Sequence, residues 1–485
     1  MAQSLKKNSI YNVLKTCSSI IFPLITFPYI SRVLQPENIG KINFSSSFIS
    51  YFSLIAMLGI STYAIRECSA VKEDKEKLNI IASQIISINT ITTFIAYFLL
   101  IIALVLWRNL DDYRSLIILY SSSLLFTTLG ADWLNTAMED FKYITLRTVL
   151  FQLISLILMF SFVKTKEDYV YYAIISLISS CGASIANICY RRRYCNFAFT
   201  FNIPWKKHLP PIMYLFVMSL SVIIFNNTDI TMLGLFRGDK EVGLYSTAHK
   251  VMILAANVVQ SIILVLIPRL SGLFANKDYP KINTLLRKLL SFNIMLGLPI
   301  TIGIILTAND IMAIVGGGRF IEAAPILQIM VICFAFSLVG GSFLGNAILI
   351  PTKQEKYYMI VCLITALCNV ILNYIFIPTY GAIAAAATTA FNGFLVFVLL
   401  LFKVDKNIKI ERKANIFVGP IVGCFVIYLC CYVTSFINQL FIRMTSSIGL
   451  SAFFYTITLI LLKNDLALEL LGNVKTKVLS IVIKS

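Results

Sequence analysis

Ionisable side chains are scarce in the long apolar stretches of this sequence, so each one found there calls for a chemical role. The richest segment is Phe225–Val251, FNNTDITMLGLFRGDKEVGLYSTAHKV. It carries Asp229 inside one hydrophobic run and His249 and Lys250 inside the next, separated by the polar turn Arg237-Gly238-Asp239-Lys240-Glu241. Lys15 lies in the first apolar run, Arg32 near its far end, and Asp132 beside Trp133 in the fourth. A charge at membrane depth is costly and turns toward a cavity, an ion or a partner of opposite sign. Asp229 and Asp132 can take up a proton, bind sodium or pair with a cation. His249 can sense pH. Lys15 and Lys250, with Arg32 in support, can meet an anion. Asn226, Asn227, Asn257 and Gln260 offer hydrogen bonds to a polar cargo.

Each of these residues also has a plain structural reading. Lys15 and Arg32 can snorkel to an interface. The amides can bond helix to helix. Asp229 can form a static pair with Lys250, Asp132 can sit at the inner interface, and His249 can be a satisfied interior histidine. Catalysis has little to work with. The sequence holds no P-loop, no HExxH and no CxxC, and His208 and His249 are its two histidines. The eleven cysteines fall mostly within apolar runs and read as reduced thiols. No metal-ligand set and no cofactor motif stands out.

The elements that must position these residues are membrane helices. Of 485 residues, 58% are hydrophobic and 13% charged, and mean hydropathy is +0.83. A bilayer core takes about 20 apolar residues per helix, and such runs recur almost end to end. Fourteen spans are expected between residues 10 and 462, beginning with 10–32 and 42–64 and ending with 381–402, 414–436 and 445–462. The first run reads as a span, not a removed signal peptide. Net charge is +18, but the basic residues gather in every second connection rather than on one face, which argues against nucleic acid as a partner. With the N-terminus inside, inner segments hold 29 Lys and Arg, including Lys142 and Arg147, and outer ones 10. Both termini are therefore expected in the cytoplasm.

The chain also repeats itself. Pro36-Glu37-Asn38-Ile39-Gly40 aligns with Asp239-Lys240-Glu241-Val242-Gly243 at an offset of 203, and Arg66 meets Arg269 at the same offset. Ile85–Asn89 meets Leu289–Asn293, and Lys142-Tyr143 meets Lys356-Tyr357, with small drift. Six spans per half means that both halves insert the same way, as parallel repeats around a central cleft. The expected fold is all-α and integral to the membrane. A six-helix bundle over 1–208 is repeated over 209–408, spans 13 and 14 follow over 409–463, and a cytoplasmic tail over 464–485 is either an amphipathic helix or a frayed end.

Taken in order, Pro28–Leu34 with Glu37–Gly40, Asp132-Trp133-Leu134 through Glu139–Ile144, Asp229 with Val242–Ser246, Asn369–Asn373, Ile377-Pro378 and Tyr380–Ala386 resemble the bacterial Wzx-type polysaccharide flippases. These are relatives of MATE exporters and of the lipid II flippase. The sequence departs from them after Trp133, where relatives often carry Gln-Gly and this chain has Leu134-Asn135. The resemblance implies alternating-access transport of an undecaprenyl-diphosphate-linked oligosaccharide, of O-antigen or capsule type, across the bacterial inner membrane. It also implies coupling to a proton or sodium gradient or to membrane potential, with a polysaccharide polymerase and chain-length machinery as partners. The lipid-linked oligosaccharide and membrane lipids are the molecules to be bound.

Under that reading Lys15, Arg32 and Lys250 contact the diphosphate. Asp229, Asp132 and His249 couple ions or pair. Asn226, Asn227, Asn257 and Gln260 contact sugar. A MATE-like cation-coupled exporter is the main rival. A membrane polysaccharide polymerase is a weaker one, because every expected outer loop is short.

Overall fold

The computed structural model describes residues 5–196, 198–404, 408 and 415–469. All regular structure among them is helical, with no strand. The helices are α1 (Leu5–Met57), α2 (Ile60–Ala70), α3 (Lys75–Leu106), α4 (Arg114–Gly130), α5 (Trp133–Ala137), α6 (Phe141–Phe162) and α7 (Tyr169–Tyr190). After them come α8 (Trp205–Phe236), α9 (Asp239–Ala275), α10 (Tyr279–Gly316), α11 (Ala324–Ser337), α12 (Glu355–Leu401), α13 (Asn415–Thr434) and α14 (Leu440–Leu461). A π-helical turn over Leu338–Leu349 prolongs α11. Beyond residue 469 the expected amphipathic tail lies outside the described residues.

Eleven helical runs among the described residues are long and apolar enough to cross a bilayer. Two of them suit two crossings each. One is the 60-residue run Tyr11–Ala70, broken by the non-helical Gln35. The other is the 47-residue α12, broken at Gly381. Tyr357 Oη donates to the Leu399 carbonyl at 2.8 Å, and Thr388 Oγ1 donates to Asn373 Oδ1 at 2.5 Å. These bonds join residues on either side of the break, so the two arms of α12 lie antiparallel. The reversal needs no loop because Gly381 takes φ 59°, ψ −138°, a backbone conformation nearly reserved for glycine.

The helices face outward with their apolar side. On α3, Phe94 (71% exposed), Phe98, Ile101 and Val105 form one stripe at helical spacing. Its buried face carries Ser83, Ser87, Asn89, Thr92 and Thr93. This inverts the pattern of a water-soluble helix and suits a lipid surround, where backbone and polar groups must be satisfied within the protein. Thr92 Oγ1 donates to the Ala56 carbonyl at 2.5 Å, and Asn89 Nδ2 donates to the same carbonyl at 2.9 Å. Aspartates cap the helices where the chain turns. Asp74, Asp140 and Asp278 accept from the amides of Lys77, Tyr143 and Lys281, which satisfies otherwise orphaned donors.

Packing divides the chain into two compact units, Met1–Gly243 and Leu244–Ser485. The first contains α8. Ser47 Oγ on α1 donates to the Asn227 carbonyl at 3.0 Å, and Phe44 and Gly234 pack so closely that a methyl on the glycine would overlap the ring. In the first unit, Ile60, Tyr63, Leu78, Ile85, Trp133 and Leu134 share a core. In the second, Leu270, Leu286, Phe343, Leu344 and Leu400 do so. The packing boundary thus falls after α8, whereas the sequence repeat suggests a division at 208/209.

Candidate functional site

In the first unit, Asp229 is placed by the last third of α8 and is 3% exposed. Thr228 beside it is buried, and one turn away Thr231 Oγ1 lies 3.0 Å from Ser47 Oγ of α1. Tyr51 Oη, also on α1, accepts from Thr231 Oγ1 at 3.3 Å. Asp229 is therefore held within a hydroxyl-rich seam between α1 and α8. Asn227 donates from Nδ2 to the Ile223 carbonyl at 3.2 Å, and Asn226 is exposed. Lys15 is half-buried on α1 and Arg32 is exposed.

Asp132 sits at the junction of α4 and α5. Its Oδ1 lies 2.9 Å from Arg147 Nη1, and its Oδ2 accepts from Ser184 Oγ at 2.9 Å. Arg147 also donates to the Ala183 carbonyl at 2.9 Å and lies over the Tyr143 ring at 5.1 Å. Of the roles open to Asp132, the geometry displays the ion pair. Arg147 itself differs from expectation. Hydropathy puts it in an inner connection, but Asp140 caps α6 ahead of it, so it falls inside the helix and is only 6% exposed.

Next to this pair, a cavity of about 710 Å³ opens, lined by Glu139, Asp140, Lys142, Tyr143, Tyr190 and Arg193 among others. Tyr143 and Tyr190 stack at 3.5 Å. Burial works against the Asp140 carboxylate, but hydrogen bonds from Tyr194 and Tyr190, then the Tyr143 amide, outweigh it and hold the carboxyl below its ordinary value. None of the expected substrate contacts lines this cavity.

A second polar knot ties α8 to the first unit. His208 is fully buried, with Nδ1 2.7 Å from Tyr63 Oη and Nε2 3.0 Å from Gln84 Oε1. Since the amide oxygen only accepts, Nε2 carries the proton and Nδ1 accepts from the phenol. Ahead of His208, the chain leading into α8 lies along α3. The amides of Asn196, Ala198 and Thr200 donate to Asn79 Oδ1, Ser83 Oγ and Ser87 Oγ at 3.1, 3.1 and 2.9 Å.

In the second unit, His249 and Lys250 are half-buried on α9, with Tyr245 packed against the His249 ring at 5.9 Å. Gln260 is half-buried and Asn257 exposed. Tyr245 Oη meets Thr389 Oγ1 at 3.3 Å. On α12, Asn373 donates to Asn369 Oδ1 at 3.0 Å and accepts from Thr388. Asn392, fully buried, finds no partner for Oδ1 or Nδ2 among the described residues. Buried amides ordinarily find partners, so this cluster of oxygens and amides is set apart from mere packing. The sequence reading missed it as a site. Its signal was the spacing of Asn369 with Asn373 and of Thr388 with Asn392, each four apart on an apolar helix.

Comparison with known proteins fits these features. The family of polysaccharide biosynthesis proteins matches residues 5–274, more than half of the chain. The chain belongs to that family. The MatE family also matches residues 215–375. A putative O-antigen transporter of Escherichia coli (strain K12) is 23% identical over 411 residues, covering 83% of this chain and 97% of the relative. The capsular polysaccharide biosynthesis protein CapF of Staphylococcus aureus is 24% identical over 405 residues, 81% of this chain and 97% of CapF. Among solved structures, the lipid II flippase MurJ in an inward closed conformation aligns with a TM-score of 0.73 at 18% identity, covering 94% of this chain and 99% of that one. The fold is thus of the kind seen in that flippase.

Proposed function

We propose that this chain is a transporter, not an enzyme, and that it flips a lipid-linked oligosaccharide across the bacterial inner membrane. The family match over residues 5–274 carries this reading. Its relatives named for O-antigen transport and capsular polysaccharide biosynthesis support it, as does an apolar exterior over helices that bury serines, threonines and asparagines. The cargo is an oligosaccharide on undecaprenyl diphosphate. Two six-helix bundles, 1–208 and 209–408, open alternately to the two sides, and both termini face the cytoplasm. A polar headgroup needs cations and hydrogen-bonding groups along its path. Lys15, Arg32 and Lys250 supply the former, and Asn226, Asn227, Asn257 and Gln260 the latter. Asp229, with His249, couples transport to a proton or sodium gradient. A polymerase and chain-length proteins receive the product.

The test is reconstitution. Purified protein in liposomes should translocate fluorescently labelled lipid-linked oligosaccharide, faster with an imposed proton or sodium gradient than without. Asp229→Asn should lose the gradient dependence; Lys250→Gln should slow translocation at any gradient. If Asp229→Asn flips at the wild-type rate with the same gradient response, Asp229 has no part in coupling. The MatE match over 215–375 favours one second reading, cation-coupled export of a small molecule. Gradient-driven export of cationic dyes with no flipping would establish that reading instead.

A further inference from the structure

Two turns far apart in the sequence are built alike. Gln35 has φ 65° and Gly238 φ 90°, both in the left-handed region. Each is followed by helix, from Pro36 in α1 and from Asp239 in α9, and each helix places a glycine in its second turn, Gly40 and Gly243. All three pairs of positions are related by the same offset of 203. The two turns also touch. A methyl on Gly40 would overlap the main-chain carbonyl of Asp239, and a methyl on Gly243 would overlap the main-chain carbonyl of Pro36. The carbonyl that opens each turn rests on the glycine that closes the other. This is the reciprocity of a two-fold interface, where i meets j and j meets i, made here from one chain.

Backbone conformation does not ask for glycine at these places, because neither Gly40 nor Gly243 has a positive φ. Within a helix, glycine is less favourable than alanine. What excludes a side chain is the carbonyl across the contact. Each turn is fastened further within the first unit. Tyr113 Oη donates to Asp239 Oδ1 at 2.5 Å, and Asn38 Nδ2 donates to the Lys166 carbonyl at 2.6 Å.

From this geometry we infer that Gly40 and Gly243 form a reciprocal steric latch. The two turns close on each other only because both positions lack a side chain, and the latch parts and re-forms in each transport cycle. The cycle rests on the transporter reading above; the contact does not. Both turns belong to the set of connections that together hold 10 Lys and Arg against 29 in the other set, the side expected to face outward, so parting would open the outer side. The residues position the helices and touch no cargo.

Hydrogen exchange on the purified full chain in lipid nanodiscs tests the latch without a cargo. The reporters are peptides covering 36–46 and 239–249. Gly40→Leu and Gly243→Leu should each raise exchange on the order of tenfold in both segments, because overpacking on one side frees the other. Gly449→Leu, at a glycine with open space around it, should change neither. Gly40→Ala and Gly243→Ala give a graded version should the leucine variants not fold. A rise confined to the substituted segment, or no rise, overturns the latch. Flipping of labelled lipid-linked oligosaccharide should fall in the Gly40 and Gly243 variants and persist in Gly449→Leu; a wild-type rate in the latch variants refutes the need for the latch to re-form in each cycle. If exchange responds in both segments while even the wild-type chain flips nothing, the latch stands and the transporter reading falls.

Discussion

Arg147→Met removes one cation and nearly conserves side-chain volume. In the wild type, Arg147 is 6% exposed, while the Asp132 side chain is 38% exposed. Losing one partner of a fully buried ion pair costs about 3–5 kcal/mol, mostly because the other charge is left unpaired. Water reaches Asp132, so part of that penalty is relieved, and the Ser184 hydroxyl still donates to its Oδ2. The Ala183 carbonyl loses its donor from Nη1, worth about 1 kcal/mol. The net expectation is a loss of about 2–3 kcal/mol, or about 5–10 °C in the unfolding midpoint of a unit this size. Arg147→Met combined with Asp132→Asn should recover about half of it, since no charge is then stranded. The assay is thermal unfolding of the detergent-purified protein followed by size-exclusion fluorescence. An unshifted midpoint for Arg147→Met, or a double variant no better than the single one, would show that the two charges are not energetically coupled.

Three further expectations follow from local geometry. Asp140 has a folded pKa held below its ordinary value of 3.8. Its stabilising contribution is therefore present above pH 3.8 and lost as pH falls through the lower folded value, so an acid titration of stability should lose a step in Asp140→Asn; an unchanged profile would refute the linkage. Gly381→Ala forces a side chain into φ 59°, ψ −138° and should cost about 1–3 kcal/mol, read as a lowered unfolding midpoint, with no drop counting against a sharp hairpin tip. Ser83→Ala and Ser87→Ala each remove an acceptor for a linker amide, a loss of about 1 kcal/mol. Each should speed proteolysis between residues 196 and 204, and equal cleavage rates would show that the linker is not held there.

Much of the fold is legible in the sequence because lipid imposes a simple rule. Apolar runs of sufficient length are helices, and Asp74, Asp140 and Asp278 mark where they start. What escapes that rule depends on which face of a helix meets protein. Arg147 looks like a connection residue by hydropathy, yet its place nearly two turns inside α6 buries it. Ser83 and Ser87 look like contacts between helices, yet their partners are amides of irregular chain more than a hundred positions away. The oxygen cluster of α12 could be suspected from spacing, but only the reversal at Gly381 brings Thr388 to Asn373. Gly40 and Gly243 are visible as a repeated pair; the sequence does not reveal that each turn bears on the other.

The linker along α3 has the character of a vernier. Four residues of helix advance about 6.0 Å, and two residues of extended chain about 6.6 Å. The two scales nearly coincide, which lets every second amide meet every fourth side chain at Asn79, Ser83 and Ser87. The mismatch of about 0.6 Å accumulates with each rung. The pattern stops where the next tick would fall: position 91 is Ile, and the Asn202 amide turns instead to Thr200 Oγ1 at 3.1 Å. A ruler of this kind fixes length. Inserting or deleting a single residue between 196 and 200 would present the alternate set of amides to α3 and offset the point from which α8 sets out, so this short stretch tolerates changes of side chain far better than changes of count.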